Sequence, residues 1–263
     1  MILLIDWGNT YLKYLLVEDA LNAKSKLGVD KIQQTPLLES LIEVISKHNK
    51  NSTQIISKAY ISSVRKSEDN QSLSIFFNKL KVQCFFAKVA SEFSGVVCAY
   101  DQVDRLGVDR WLTILAGFSS EKSTGIIDIG SAITLDVVNK QGLHLGGQIV
   151  PGNRLLLESL NATDRIVLPK ETVLTKDAKN KNNVLLGTST KECVSVGINK
   201  MLQSYIECSI SDVTNQHQVE RWILTGGGGE YWANELSISN RSIVYDELLV
   251  FKGLIKFKNQ LRE

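Results

Sequence analysis

MILLIDWGNTYLKYLLVED, residues 1–19, and TGIIDIGSAITLDVVNKQG, residues 124–142, share one pattern. Each opens with an apolar run ended by an aspartate, Asp6 or Asp128. Each then turns, through Gly8-Asn9-Thr10 or Gly130-Ser131, and returns as a second apolar run. Branched and aromatic residues bounded by turn formers favour strands, so both stretches predict an antiparallel strand–turn–strand. The second continues through Lys140-Gln141-Gly142 into Leu143–Val150 as a further strand. Two copies of the pattern predict two similar halves, each opened by an antiparallel meander.

Helical periodicity fills the intervals. Thr35-Pro36 reads as a cap and first helical residue ahead of Leu37, Leu38, Leu41, Ile42, Val44 and Ile45. Further helices are expected over Asp109–Phe118, Ser189–Cys208 and Glu247–Lys258, and short strands over Ala59–Val64, Val82–Ala87, Arg221–Thr225 and Ser242–Tyr245. Lys170–Asn183 is polar and reads as a surface loop. Strands alternating with helices indicate an α/β fold, and the meanders make its sheets mixed rather than wholly parallel. The expected halves are residues 1–118 and 119–263.

Composition removes several function classes. The 263 residues carry 30 basic against 28 acidic side chains, a formal charge of +2, which offers no nucleic-acid or anionic-membrane surface. The longest uncharged run, Gln141–Asn153, holds Pro, Gly, Asn, Gln and His and is shorter than a membrane helix requires. MILLID has no basic leader region and carries Asp6, so it does not read as a signal peptide. The four cysteines, at 84, 98, 193 and 208, form no CxxC pair, and three histidines are too few for a His-rich metal site. The thiols are expected to be buried and reduced, in a cytoplasmic protein.

What remains is phosphate chemistry. A carboxylate at a strand end, beside a tight turn with free backbone N–H groups, suits a metal–phosphate complex, and Lys13 adds a point charge. The same residues also suit a plain hairpin turn with a solvated lysine; the echo at Asp128 favours a site. Thr134 and Asp136 alternate along the next strand and face one side. Two aspartates near one phosphate site repel each other unless a cation lies between them. Gly226–Gly229 follows a strand, where a glycine run lets backbone approach a ligand closely. No GxxxxGK[ST] loop occurs, and no GxGxxG follows the first strand. Gly107-Val108-Asp109-Arg110 opens a helix with an acid that can accept a hydroxyl proton and an arginine that can fork onto a carboxylate or phosphoryl oxygen. A helix-start acid beside a surface arginine is the plain alternative.

Together these segments resemble the type III pantothenate kinases of the acetate-and-sugar-kinase/actin/heat-shock-ATPase superfamily. The family pattern D-x-G-N-T-x-x-K appears as Asp6 to Lys13, and G-x-D-R as Gly107 to Arg110, with Tyr100 upstream. D-x-G-T-A-x-T-x-D appears as Asp128 to Asp136, with Ser131 replacing the expected threonine and keeping its hydroxyl. G-G-x-I-x-P-G is Gly146 to Gly152, followed by Asn153 where an aliphatic residue is usual, and T-x-E-x-x-x-x-G is Thr190 to Gly197.

The resemblance implies two ribonuclease H-like, actin-like ATPase domains, each a mixed sheet flanked by helices, with a cleft between them. It implies ATP binding by Asp6, Gly8, Asn9, Thr10, Lys13, Ser131, Gly226 and Gly227. Tyr100, Gly107, Val108, Asp109, Arg110 and Thr190 would contact pantothenate, with Asp109 the base that activates its primary alcohol. Asp128 would hold a monovalent cation (K⁺ or NH₄⁺), Asp6 is a possible Mg²⁺ ligand, and ATP would arrive with Mg²⁺. The family is typically dimeric, with the substrate site near the interface; no nucleic-acid or membrane partner is implied. A sugar or other small-alcohol kinase of the same superfamily, or a catalytically silent nucleotide-binding regulatory protein, are the competing readings.

Overall fold

The structure is a computed structural model that describes residues 1–18, 33–35, 39–51, 55–162, 185–236 and 242–261. The Ile2-to-Trp7 run forms β1 (Ile2–Trp7), and after the turn the chain returns as β2 (Leu12–Val17) in antiparallel register, Asp6 opposite Lys13. β3 (Gln33–Thr35) extends the meander, while β4 (Lys58–Ser63) and β5 (Gln83–Phe86) add parallel strands on the other side of β1, giving the order β3-β2-β1-β4-β5. Parallel neighbours need crossovers, and α1 (Glu39–Asn51) and α2 (Ser67–Lys79) supply them.

The second half repeats this plan. β6 (Glu92–Phe93) and β7 (Val96–Val97) form a small hairpin before it. Then β8 (Thr124–Ile129), β9 (Ala132–Val138) and β10 (His144–Pro151) form the meander, and β11 (Arg221–Thr225) and β12 (Ile243–Tyr245) are parallel, in the order β10-β9-β8-β11-β12. α4 (Asn153–Asn161), α5 (Thr190–His217) and α6 (Gly229–Leu236) provide the connections.

Both central strands are apolar on both faces, and alternation divides their side chains between two cores. From β1, Leu3 and Ile5 pack outward with Leu41 and Ile45 of α1 and Leu73 and Phe77 of α2. Ile2 and Leu4 pack inward. From β8, Ile127 and Ile129 meet Ile198, Leu202 and Ile206 of α5 and Trp232 of α6, while Ile126 points the other way. The inward sides share one core, filled by α3 (Val108–Gly117) and α7 (Leu249–Gln260), which carry Trp111, Leu112, Phe251 and Leu254 into it. Helix α7 reaches both β1 and β4, so the chain's last helix packs on its first sheet. The end of α3 is held by cations, the favoured charge at a helix C-terminus. Arg221 donates to the Gly117 carbonyl (2.7 Å) and Lys256 to that of Leu115 (2.6 Å).

Several boundaries differ from those expected. Thr35 ends β3 rather than capping a helix, and Pro36 to Leu38 lie outside the described residues, as does the expected loop at 170–183. Helix α5 runs on from Cys208 to His217 because Ile210 keeps it docked on the core. Its start carries a capping arrangement, with Ser189 accepting the Glu192 N–H and Thr188 donating to the Glu192 carboxylate. Cys193 and Cys208 are exposed on α5, against the expectation of burial, while Cys84 and Cys98 are half-buried. Among the described residues no helix is long and apolar enough to cross a membrane.

Candidate functional site

The two acid-tipped turns meet. Each is closed by a glycine N–H, Gly8 donating to the Tyr11 carbonyl three residues on (3.1 Å) and Gly130 to that of Ala132 two residues on (3.0 Å). Their tips touch through Thr10 Oγ1 and Ser131 Oγ, 2.6 Å apart. Arg154, the second residue of α4 (Asn153–Asn161), donates to Thr10 Oγ1 (3.0 Å) and pairs with Glu158. Asn9 is exposed at the first tip, where its carbonyl accepts from Arg65 (3.4 Å).

Three carboxylates share the space behind these tips. Burial lifts Asp6 to about 6; Lys13 across the strand pair pulls it down, and the charge of Asp109 pushes it up. Asp128 is lifted further, to about 7, again chiefly by burial, with Lys13 opposing and Asp109, Asp6 and Asp136 adding repulsion. Asp109 is raised by burial, against the Arg110 backbone N–H that donates to its Oδ1 at 2.8 Å and against the Arg110 charge. Asp6 and Asp128 thus each feel both Lys13 and Asp109, which links the two turns and the start of α3 electrostatically. Among the described residues no three His, Cys, Asp or Glu side chains form a ready-made metal cage.

The glycine run completes the back of the second turn. Gly226 has φ +81, and a Cβ there would stand 2.3 Å from Asp128 Oδ1. A side chain at this position would therefore meet both backbone strain and a carboxylate. Gly228 N–H donates to the Ile129 carbonyl (3.0 Å), which holds the loop against β8, and Gly227 stays exposed with open space beside it.

At the start of α3, Gly107 is the N-cap, Val108 the first helical residue, and Asp109 and Arg110 diverge. Arg110 turns into the protein, where it is buried. Its Nε and Nη2 fork onto Asp136 (2.9 and 2.7 Å) and its Nη1 donates to the Tyr100 hydroxyl (3.0 Å). Burial pulls Arg110 down, but the Asp136 hydrogen bonds and charge outweigh it and raise the group overall. The fork anticipated for a ligand is thus occupied by a carboxylate of the chain itself. Asp136 also meets His144 Nε2 (3.0 Å). Asp136 therefore faces Arg110 and His144, while its strand companion Thr134 lies opposite Asp128.

Thr190 is not drawn into this group: it stands exposed as the first residue of α5, and no hydrogen bond ties it to Tyr100, Arg110 or Asp109. Asn153, the departure from the aliphatic pattern, starts α4 with its Oδ1 buried and without a hydrogen-bond partner among the described residues. Sequence reasoning did not reach His144 or Arg154. A lone histidine in a strand and an arginine behind Pro-Gly-Asn carry no local signal, and their partners lie on other elements.

The family model for type III pantothenate kinases matches residues 2–212. A type III pantothenate kinase of Acinetobacter baumannii is 32% identical over 254 residues, covering 96% of this chain and 95% of the relative. One from Hahella chejuensis is 33% identical over 199 residues, covering 75% of this chain and 76% of the relative. Among solved structures, a Baf family protein from Campylobacter jejuni superposes with a TM-score of 0.59 at 20% identity, covering 99% of this chain and 98% of that one. The activator of 2-hydroxyisocaproyl-CoA dehydratase from Clostridium difficile, solved with ADPNP bound, gives 0.54 at 12%, covering 99% and 95%. At such identities the superpositions speak for the fold alone, two mixed sheets flanked by helices. The family match and the sequence relatives carry the assignment: the chain belongs to the type III pantothenate kinases, a family of kinases.

Proposed function

We propose that the protein transfers the γ-phosphoryl group of ATP to the primary hydroxyl of pantothenate, giving 4′-phosphopantothenate at the first step of coenzyme A biosynthesis. The observation that carries this reading is the contact of the two acid-tipped turns through Thr10 and Ser131, with the charge of Asp109 felt at both Asp6 and Asp128. A phosphoryl-transfer site needs phosphate-binding turns and an acceptor base within one cleft, because positioning and charge neutralisation dominate its loose transition state. Asp109 takes the alcohol proton; a carboxyl raised above its ordinary range is better matched to that task. Asp6, Gly8, Asn9, Thr10 and Lys13 from the first turn, with Ser131, Gly226 and Gly227 from the second, hold the nucleotide. Tyr100, Gly107, Val108, Arg110 and Thr190 hold pantothenate.

The donor set fits a cation. Burial and repulsion from neighbouring carboxylates lift Asp6 and Asp128, and both feel Lys13, so two carboxylates set against one lysine leave negative charge for a further cation to offset. Asp6 is suited to Mg²⁺ delivered with ATP, and Asp128 to the monovalent cation, K⁺ or NH₄⁺. Bound Mg²⁺ supplies charge neutralisation at the phosphoryl oxygens. The units that close on the nucleotide are residues 1–118 and 119–263, with α7 spanning both.

The exposed position of Thr190 supports a homodimer with the substrate site near its interface. Leu145 and Ile149 lie exposed on the edge strand β10, apolar surface that a second copy would cover. The reading places the enzyme in the cytoplasm, where ATP is available.

Purified protein with Mg²⁺-ATP and K⁺ is expected to release ADP when pantothenate is added, measured by a coupled assay. Release on a sugar or another small alcohol, but not on pantothenate, would transfer the activity to a different acceptor. Absence of release on every acceptor would leave a nucleotide-binding regulatory protein.

A further inference from the structure

We propose that His144 is a positioning residue for the acceptor substrate, acting through Asp136 and Tyr100; the inference rests on the kinase reading above. His144 is buried on β10, and both of its ring nitrogens are engaged. Nδ1 receives the backbone N–H of Ala99 (3.4 Å), and Nε2 lies 3.0 Å from Asp136 Oδ1. An N–H pointing at Nδ1 requires that nitrogen to be the acceptor, so the proton sits on Nε2 and is donated to Asp136. Asp136 thereby accepts from His144 and Arg110 on Oδ1 and from Arg110 on Oδ2, which pins the guanidinium in one plane.

The consequence falls on Tyr100. The His144 ring stacks beside it, with centroids 6.2 Å apart and planes at 11°. Arg110 Nη1 donates to its hydroxyl oxygen. A phenol that accepts from a guanidinium has its own proton directed elsewhere, and the charge makes that proton a stronger donor. Half-buried Tyr100 thus offers a fixed O–H toward an acceptor oxygen of the substrate, a carboxylate or an amide carbonyl. Arg110, buried and engaged on three sides, orients that donor.

The local backbone is shaped for this. The register of β10 against β9 shifts between His144 and Gly146, a bulge of the kind that re-aims a side chain. Next to it, a Cβ on Gly147 would lie 2.5 Å from both Arg110 Nη2 and Asp136 Oδ1, so the strand presses backbone directly onto the ion pair. The hydrogen bonds of this group run to Ala99, Tyr100, Arg110 and Asp136 and to none of the residues assigned above to ATP, which predicts a selective effect.

Asparagine at 144 places its amide oxygen near Nδ1 and removes the donor to Asp136; glutamine places its amide nitrogen near Nε2 and restores it. His144→Asn is expected to raise KM for pantothenate about tenfold, as for loss of a hydrogen bond to a charged group. KM for ATP should stay within about twofold, and His144→Gln should recover most of the loss. A merely structural role would lower the active fraction without splitting the two KM values. Equal rises in both, no rise in either, or no recovery with glutamine would overturn the proposal. Should the asparagine variant fail to fold, ¹⁵N-resolved imidazole resonances of the wild-type protein decide the matter. An Nε2–H signal of His144 that moves on adding pantothenate supports the relay, and an Nδ1–H tautomer or an unmoved signal overturns it. Failure of the kinase reading would show differently, as a wild-type enzyme with no pantothenate-dependent ADP release.

Discussion

The turn at Asp6 and the turn at Asp128 occupy the same place in two sheets of the same strand order, yet their surroundings differ. Asp6 lies opposite Lys13 on β2 and beside Ser62 on β4. Asp128 lies between Thr134 and Thr225, with no cation on either neighbouring strand at that register. Burial dominates both carboxyls, and the one without a facing lysine is lifted further, to about 7 against about 6. The duplicated scaffold thus differs at its second strand, which sets a lysine opposite one carboxylate and a threonine opposite the other. The backs of the turns differ as well. Behind Asp128 stands the Gly226 loop, whereas a Cβ on Gly8 would meet only the Tyr11 carbonyl, at 3.5 Å.

Asp109 belongs to neither turn, and its loss gives the largest expected effect. Asp109→Asn keeps shape and removes the proposed base, so kcat should fall at least about 10²-fold with ATP affinity nearly unchanged. Steady-state ADP release and ATP titration measure the two quantities. Near-normal turnover would show that the carboxylates of the turns suffice for proton removal, and the division between phosphate-holding and proton-taking acids would be lost.

The duplicated frame was legible because both central strands are long apolar runs that end in Asp and a turn, a signal local in sequence. Helix α2 was not legible: SEDNQSLSIFFNK shows only Leu73 and Phe77 as buried anchors amid polar residues, and its place is fixed by the outer core it covers. The same divide holds at the site. Asp6, Lys13, Asp109 and Asp128 announce themselves through turn and helix-start chemistry. The Arg110–Asp136–His144 group joins α3, β9 and β10, so its meaning arises only when three elements pack. Arg110 read as a ligand-binding fork for the same reason: the sequence places an arginine at a helix start but does not say which way it turns.

The glycines test how far the two turns have diverged. Gly226→Ala forces a side chain onto φ +81 and into Asp128, which should cost about 1–3 kcal/mol of stability and weaken ATP binding. Gly8→Ala meets ordinary contact distances, and its cost should stay below about 1 kcal/mol. Urea unfolding of both variants measures the contrast. Equal costs would mean that the loop behind Asp128 adapts freely and that the two turns are mechanically alike.

The smallest contrast is also the most direct reading of the difference in charge. A carboxyl whose folded pKa lies above its unfolded value of 3.8 binds its proton more tightly when folded. Its stabilising contribution is therefore greatest at low pH and declines as pH rises from about 4 to the folded value. For Asp6 the decline ends near 6, and for Asp128 it continues to about 7. Asparagine at either position abolishes the decline. The stability advantage of Asp6→Asn over the wild type, without nucleotide or added cations, should thus level off near pH 6. That of Asp128→Asn should keep growing to pH 7 and reach about 4 kcal/mol. Urea midpoints at pH 5, 6, 7 and 8 separate the two curves, and K⁺ should shrink the advantage of Asp128→Asn by stabilising only the charged wild type. Curves that level off together would remove the asymmetry and place the external cation equally at both turns.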